Sequence, residues 1–193
     1  MGGTFDPIHF GHLVAAEEAR VQYGLEHVIF MPTGRYEHKE ARQYVAPEER
    51  YTMVVIATAS NPYFSVSRLE VDREGSTHTI DTIRVVSETC GAETELFFIT
   101  GADAVLDIMS WRDYERLADY CRFIAVTRPG YDLSSLRAIV LGDDGAPEID
   151  TIEVPALAIS STDLRQRVRE GRPIRYLMPD SVANFIGKSG FYR

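Results

Sequence analysis

The sequence has few cysteines and no long apolar run. Its two cysteines, Cys90 and Cys121, lie far apart and outside any Cys-x-x-Cys pattern, so neither a disulfide framework nor a cysteine zinc site is indicated. No apolar stretch reaches the length of about 18 residues that a bilayer span requires. The amino terminus also lacks the basic start and apolar stretch of a signal peptide. We therefore expect a cytoplasmic protein with no membrane partner.

Positive charge is also scarce. The chain has 20 Lys and Arg residues against 29 Asp and Glu residues, which gives a formal net charge of -9. Broad nucleic-acid binding usually requires a basic face, so we expect no nucleic-acid partner. An acidic protein binds an anion locally through clustered donors such as helix amino termini, histidines and a few arginines.

The patterns that are present are typical of one α/β domain over residues 1–193. Apolar, β-branched runs predict strands at 27–33, 63–71, 95–101, 121–127 and 150–157. Helical patterns alternate with them at 13–23, 47–59, 79–89, 102–120, 160–171 and 180–186. This alternation predicts a Rossmann-like, doubly wound and mostly parallel sheet with helices on both faces. Ligands of such folds bind at the carboxyl ends of the strands.

The opening stretch "GGTFDPIHFGH" carries the strongest chemical signal. Gly2 and Gly3 allow a tight turn with a close backbone approach, and the histidines follow at the start of a helix. His9 and His12 fall three apart on one face of its first turn, with Gly11 between them. Two imidazoles beside exposed amides predict a cradle for a polyphosphate. The pattern matches neither the dinucleotide fingerprint nor the Walker loop.

A second anion site is suggested by "ISSTDLR". Ser160 and Ser161 would lie at a helix amino terminus, and Arg165 lies one turn later, where it adds a fork of charged donors. An ordinary serine cap beside a solvated arginine is the alternative interpretation, and the segment alone does not decide between them.

Together these stretches resemble a known family. "GGTFDPIHFGH" is similar to the signature G-G-T-F-D-P-x-H-x-G-H of the nucleotidyltransferase superfamily, and "ISSTDLR" resembles its later motif. "STHTIDTI", "GADAVLDIMSW" and "VTRPG" resemble segments of the nicotinate-nucleotide adenylyltransferases, so the likeness covers nearly the whole chain except 130–150. The resemblance implies transfer of the adenylyl group of ATP to nicotinate mononucleotide, giving deamido-NAD and pyrophosphate. It implies Mg2+ carried by the ATP phosphates without a side-chain ligand, and a homodimer.

The resemblance also assigns roles to residues. It implies that His9, His12 and Arg165 are catalytic. It implies an ATP-binding set of Gly3, Thr4, Phe5, His9, Gly11, His12, Gly101, Asp103, Arg128, Ser160, Ser161 and Arg165, and an acceptor-binding set of Lys39, Thr79, Trp111 and Arg112. Trp111 has the alternative role of a core or surface anchor. Lys39 has the alternative role of a solvated lysine in the polar stretch 34–46, which is itself a candidate lid.

The sequence departs from the family pattern in two places. Arg112 and His78 stand where many relatives carry tyrosines, and a cationic Arg112 favours a carboxylate-bearing acceptor, nicotinate over nicotinamide. Relatives also carry a short apolar strand before the Gly-Gly turn, whereas here Met1 directly precedes Gly2. The expectation is a sheet that lacks its first strand, with impaired function compared with a longer chain.

Two other functions are compatible with the sequence. One is another adenylyltransferase of the same superfamily, acting on phosphopantetheine or nicotinamide mononucleotide. The other is a noncatalytic nucleotide-binding module that has kept the fold. Retention of both His9 and His12 argues against a noncatalytic module.

Overall fold

The computed structural model describes residues 1–34, 45–127, 148–155 and 158–193. The chain divides into two compact units. Unit A comprises Gly2–Ser76 and Ala156–Arg193, and unit B comprises Met1 and Thr77–Pro155. The interpretation of 1–193 as a single domain stays a prediction. Most of the candidate lid at 34–46 lies outside the described residues, as does most of 130–150, the stretch that the resemblance does not cover.

Unit A contains a parallel three-stranded sheet. Its strands are β1 (Gly2–Gly3), β2 (Val28–Pro32) and β3 (Phe64–Val66), with β2 in the middle. Gly2 lies opposite Met31 and Val28 lies opposite Phe64. The predicted strand at 27–33 is confirmed as β2, whose middle position suits its almost wholly buried side chains. The position before the opening turn holds only β1, and the expectation of a missing first strand stays a prediction.

Helices α1 (Phe10–Gln22) and α2 (Pro47–Thr58) alternate with these strands. Helices α5 (Ser161–Arg169) and α6 (Asp180–Ser189) complete unit A. Pro47 occupies the first turn of α2 as predicted, because its fixed φ suits that position. α1 begins three residues earlier than the predicted start at Leu13 because His9 already serves as its N-cap. Pro179 precedes α6 as its N-cap.

Unit B contains a second parallel sheet, of strands β4 (Phe97–Gly101), β5 (Arg122–Thr127) and β6 (Ile149–Glu153), in the order β4-β5-β6. Helices α3 (Thr79–Cys90) and α4 (Ala102–Leu106) accompany it, with short 3-10 helices at Ile108–Ser110 and Tyr114–Asp119. Its core includes Ile80, Ile83, Val105, Ile108, Leu117, Phe123 and Ala125. All described strand pairs of both units are parallel, and helices flank the sheets, so the predicted α/β class is confirmed.

The predicted strand at 150–157 ends at Glu153, and the predicted elements at 63–71 and 102–120 depart further from the sequence pattern. The strand at 63–71 ends at Val66, because the Ser67 hydroxyl accepts the N–H of Leu69 (3.2 Å) and the Asp72 N–H bonds the carbonyl of Arg68 (2.9 Å), which turns the chain. The helical pattern at 102–120 breaks into α4 and the two 3-10 helices, with Trp111 extended between them. Among the described residues, no helix combines the length and apolar character needed to cross a membrane.

Candidate active site

The turn between β1 and α1 is built around a buried Phe5. Its φ of +50° lies in the left-handed region that favours glycine, and its ring is almost completely buried. A Cβ on Gly3 would come 2.9 Å from Cζ of this ring, so only glycine fits at position 3. Burial of the ring therefore holds the backbone in a conformation that the turn requires and that phenylalanine rarely adopts.

Gly11 has an equally specific role next to His9. The His9 side chain is only 6% exposed, and a Cβ on Gly11 would lie 3.0 Å from both Cε1 and Nδ1 of its ring. His9 Nδ1 is buried and has no hydrogen-bond partner among the described residues. The glycine thus leaves the space that the imidazole occupies beside the first turn of α1.

A methyl group at position 11 is expected to destabilise the protein because a buried ring must move. Overpacking of this kind costs about 1–3 kcal/mol, and for a chain of this size each kcal/mol lowers Tm by roughly 2–4 °C. Calorimetry of Gly11→Ala should therefore show a Tm several degrees below that of the wild type. Gly187→Ala is the matched control, since nothing lies within 4 Å of a Cβ at this helical position. A Gly11→Ala protein as stable as the control would contradict this account of the site.

His12 lies over His9 at the amino end of α1. The two rings are stacked with centroids 3.8 Å apart, and Phe5 meets His12 edge-on at 5.1 Å. The His9 backbone N–H donates to Nδ1 of His12 (3.2 Å). Because Nδ1 accepts, the neutral His12 ring carries its proton on Nε2. The geometry therefore leaves His12 with a hydrogen-bond donor at Nε2.

Both imidazoles are neutral near pH 7 in the ligand-free protein. Burial lowers the pKa of His9 to about 4. Burial, and secondly the neighbouring His9, lower the pKa of His12 well below its usual value. An anion placed against these rings would favour their protonated forms and raise both pKa values.

Helix α5 brings a second set of donors to the same turn. Ser161 Oγ donates to the carbonyl of Pro7 (2.9 Å), and Arg165 Nη1 donates to the carbonyl of Asp6 (2.7 Å). Ser160 is the N-cap of α5, where its Oγ accepts the Asp163 N–H (3.1 Å). Ser160 therefore caps α5, and its predicted role at an anion site stays a prediction. Ser161 and Arg165 do more, because they join the helix to the histidine-bearing turn.

Sequence reasoning missed two buried charged groups that support this turn. Arg50 on α2 is 2% exposed and donates to the carbonyls of Thr4 (2.6 Å), Thr33 (2.6 Å), Gly34 (2.9 Å) and Val45 (3.0 Å). Asp6 is 1% exposed. A signal for Arg50 was available in the sequence. It precedes the buried Met53, Val54 and Ala57 at helical spacings of three, four and seven, which places it on the buried face.

The remaining predicted residues lie in unit B or outside the described chain. Gly101 ends β4, and the exposed Asp103 lies in the first turn of α4. Thr79 begins α3. Trp111 is half-buried and meets Phe98 edge-on at 6.1 Å, while the exposed Arg112 lies 3.8 Å from the Asp113 carboxylate. Lys39 and Arg128 lie outside the described residues.

Comparison with known proteins identifies the family. A family model described as cytidylyltransferase-like matches residues 1–167, which include both motifs of the site. Proteins named "Probable nicotinate-nucleotide adenylyltransferase" from Moorella thermoacetica and Leifsonia xyli are 52% and 56% identical to this chain. Each match covers 100% of this chain, and 90% and 92% of the respective relative. The chain belongs to the nicotinate-nucleotide adenylyltransferase family.

The fold of this nicotinate-nucleotide adenylyltransferase family member agrees with solved structures. Plasmodium falciparum nicotinic acid mononucleotide adenylyltransferase complexed with NaAD superimposes with a TM-score of 0.78 at 22% sequence identity. The match covers 99% of this chain and 94% of that one. The family predicted from the two motifs and the three segments between them is confirmed. The individual roles predicted for the site residues stay predictions.

Proposed function

We propose that this protein transfers the adenylyl group of ATP to nicotinate mononucleotide, giving deamido-NAD and pyrophosphate in NAD biosynthesis. The observation that carries the proposal is that two sets of hydrogen-bond donors meet at the turn before α1. The stacked pair of His9 and His12 begins α1, and Ser161 and Arg165 of α5 are bonded to the turn that precedes it. Full-length identity of about half to relatives of that name supports the choice of reaction.

The reaction needs alignment and charge stabilisation more than covalent chemistry. A phosphate oxygen of nicotinate mononucleotide attacks the α-phosphorus of ATP; the bond from that phosphorus to the bridging oxygen breaks, and pyrophosphate leaves. Neutral His12 with its proton on Nε2 is suited to donate to phosphate oxygens whose charge rises in the transition state. Arg165 lies within reach of the same turn, where it would hold the β- and γ-phosphates.

We assign the residues that bind the two substrates from the positions that match the family's motifs. We propose that Gly3, Thr4, Phe5 and Gly11 shape the nucleotide pocket together with Ser160 and Ser161, and that Gly101, Asp103 and Arg128 contact adenosine. For the acceptor we propose that Trp111 stacks on the pyridine ring, that Thr79 and Arg112 receive the carboxylate, and that Lys39 approaches the phosphates. The half-buried Trp111 is held by Phe98 on one edge, which suits a stacking platform.

We propose Mg2+ as the cofactor, brought in by the ATP phosphates. Within the described ranges, no three His, Cys, Asp or Glu side chains come together as a metal site. Mg2+ commonly keeps several waters and binds substrate phosphates. An ion held by the ATP phosphates is therefore compatible with a site made of hydrogen-bond donors. The ion would neutralise charge on the phosphates. A cytoplasmic location and a homodimer complete the proposal, and neither alters the assignment of the reaction.

A direct assay tests the proposed function. Purified protein is incubated with ATP, Mg2+ and one of three acceptors, and pyrophosphate release is measured. We expect rapid release with nicotinate mononucleotide, slower release with nicotinamide mononucleotide and none with phosphopantetheine. Absence of release with nicotinate mononucleotide would refute the proposal, and release with phosphopantetheine alone would assign the chain to a different acceptor.

ATP binding is expected to take up protons. In the free protein the pKa of His9 is about 4, and that of His12 is also lowered, so neither ring is protonated near pH 7. Phosphates beside the rings raise both pKa values, so the complex holds more protons than the free protein between about pH 4 and the raised values. ATP affinity should therefore increase as the pH falls toward 6.

Titration calorimetry at pH 6.5 in buffers of different ionisation enthalpy measures this uptake. The observed binding enthalpy should vary with the buffer, with a slope that corresponds to proton uptake. The matched control is a variant with His9 and His12 both replaced by asparagine, in which the slope should fall. A binding enthalpy that is the same in every buffer would contradict the predicted titration of the two histidines.

A further inference from the structure

The segment that follows α6 turns back onto the body of unit A. Gly190 adopts a left-handed conformation with φ of +70°, which ends the helix, and the N–H of Phe191 bonds the carbonyl of Ile186 (3.3 Å). The Phe191 ring then meets Phe185 edge-on, with centroids 5.7 Å apart. This anchoring directs the next residue, Tyr192, inward.

Tyr192 reaches the turn that precedes the two histidines. Its hydroxyl donates to Asp6 Oδ1 at 2.5 Å, which joins residues 186 positions apart. The Val45 N–H also donates to this oxygen, at a longer 3.4 Å, and Oδ2 is buried with no partner among the described residues. Of these two hydrogen bonds to the Asp6 side chain, the one from Tyr192 is the shorter, and the carboxylate that accepts it is almost completely buried.

Asp6 links Tyr192 to an arginine that the proposed function uses. Its side chain accepts from Tyr192, while its backbone carbonyl accepts from Arg165 of α5 (2.7 Å). Arg165 and Arg50 of α2 supply positive charge toward this carboxylate, and His9 and His12 begin the helix that follows. Movement of Asp6 would therefore displace both the carbonyl that accepts from Arg165 and the residues that lead into α1.

We propose that Tyr192 is a positioning residue for adenylyl transfer, which acts through Asp6 to hold Arg165 and the histidine-bearing turn in place. The inference rests on the proposed function. It goes beyond the motif residues, since Tyr192 lies outside both motifs and carries no predicted role. Its hydroxyl adds a directed, charge-assisted hydrogen bond at a place where water is excluded, which is where such a bond is strongest.

The charge state of Asp6 provides a signature that a purely structural role would not produce. Burial raises the pKa of Asp6, while the hydrogen bond from Tyr192 and the charges of Arg165 and Arg50 lower it. Loss of the hydroxyl removes one of the lowering contributions, so Asp6 becomes protonated at a higher pH. Tyr192→Phe should therefore move the acid limb of kcat/KM for ATP to higher pH.

The experiment compares Tyr192→Phe with Tyr63→Phe, a half-exposed tyrosine with its ring under Arg20. We expect Tyr192→Phe to lower kcat/KM for ATP about tenfold, with KM for nicotinate mononucleotide within twofold of wild type. Tyr63→Phe should match the wild type. A Tyr192→Phe enzyme within twofold of wild type, with an unchanged pH profile, would overturn the proposal, as would a loss that merely follows the unfolded fraction measured by circular dichroism.

A double-mutant cycle with Asp6→Asn tests whether the effect passes through Asp6. If it does, adding Tyr192→Phe to Asp6→Asn should lower the rate far less than tenfold. A full tenfold loss in the Asp6→Asn background would refute the proposed route. Calorimetric binding of α,β-methylene ATP with Mg2+ separates this inference from the proposed function, because it needs no turnover. Weaker binding by Tyr192→Phe supports the positioning role even if the wild type releases no pyrophosphate, whereas equal binding and equal rates overturn it.

Discussion

Replacing His12 with alanine is expected to lower kcat for pyrophosphate release about 100-fold or more, comparable to the loss of one transition-state donor. The neutral ring carries its proton on Nε2 because Nδ1 already accepts the His9 N–H. Nε2–H is thus a preorganised donor in a partly dehydrated site, and it needs no reorganisation as charge develops on the phosphates. Single-turnover measurements with ATP, Mg2+ and nicotinate mononucleotide would report this loss in the chemical step.

The alanine variant also loses the hydrogen bond that caps α1, so a second variant separates the two effects. The side-chain oxygen of asparagine occupies nearly the position of Nδ1, so His12→Asn keeps an acceptor for the His9 N–H and lacks the donor at Nε2. We expect His12→Asn to fold with nearly wild-type stability and to be as slow as His12→Ala. Wild-type turnover by His12→Asn would remove Nε2 from the mechanism. His27→Ala, which removes an exposed imidazole bonded to Ser65, should leave turnover unchanged.

Replacing Arg50 with methionine is expected to cause the largest loss of stability. The guanidinium bonds four backbone carbonyls, and methionine would leave these acceptors unsatisfied in a buried place. It would also leave the buried Asp6 with less compensating positive charge. Breaking a buried charge network commonly costs about 3–5 kcal/mol, which corresponds to a fall in Tm of roughly 10 °C for a chain of this length.

Thermal unfolding followed by circular dichroism measures this effect. Arg68→Met is the matched control, because Arg68 is an exposed arginine that pairs with Glu48 and Asp72 at the surface. Exposed pairs contribute little, so the control should change Tm by less than about 2 °C. Similar Tm values for the two variants would show that the carbonyl contacts of Arg50 are not a major source of stability.

Local chemistry explains which parts of the site the sequence predicts. The glycines and histidines of residues 2–12 act through short-range constraints. The turn needs glycines at 3 and 11 because neighbouring rings occupy the space of a Cβ, and such requirements leave a readable motif. The first turn of α5 is predictable for the same reason, since Ser160 caps its own helix.

The supporting contacts join residues that are far apart in the sequence, so they leave a weaker pattern in it. Tyr192 meets Asp6 through chain reversal after α6, and a lone tyrosine near a helix end has many other uses. Arg50 lies on a buried helical face, a position where arginine is rarely found. The strand at 63–71 is shorter than predicted because aromatic and apolar residues continue as far as Val71, whereas the Ser67 side chain turns the backbone after Val66.

The contacts from α5 and Tyr192 to residues 6 and 7 have a consequence during synthesis on the ribosome. Ser161 bonds Pro7 across 154 positions, and Arg165 bonds Asp6 across 159. At about 5–20 residues per second, the nascent turn waits roughly 8 to 30 s for these partners to be made. During that interval the histidine-bearing turn lacks the hydrogen bonds from Ser161 and Arg165. A nascent chain that ends before residue 161 therefore holds the histidine motif without the contacts from α5 and Tyr192 that support it.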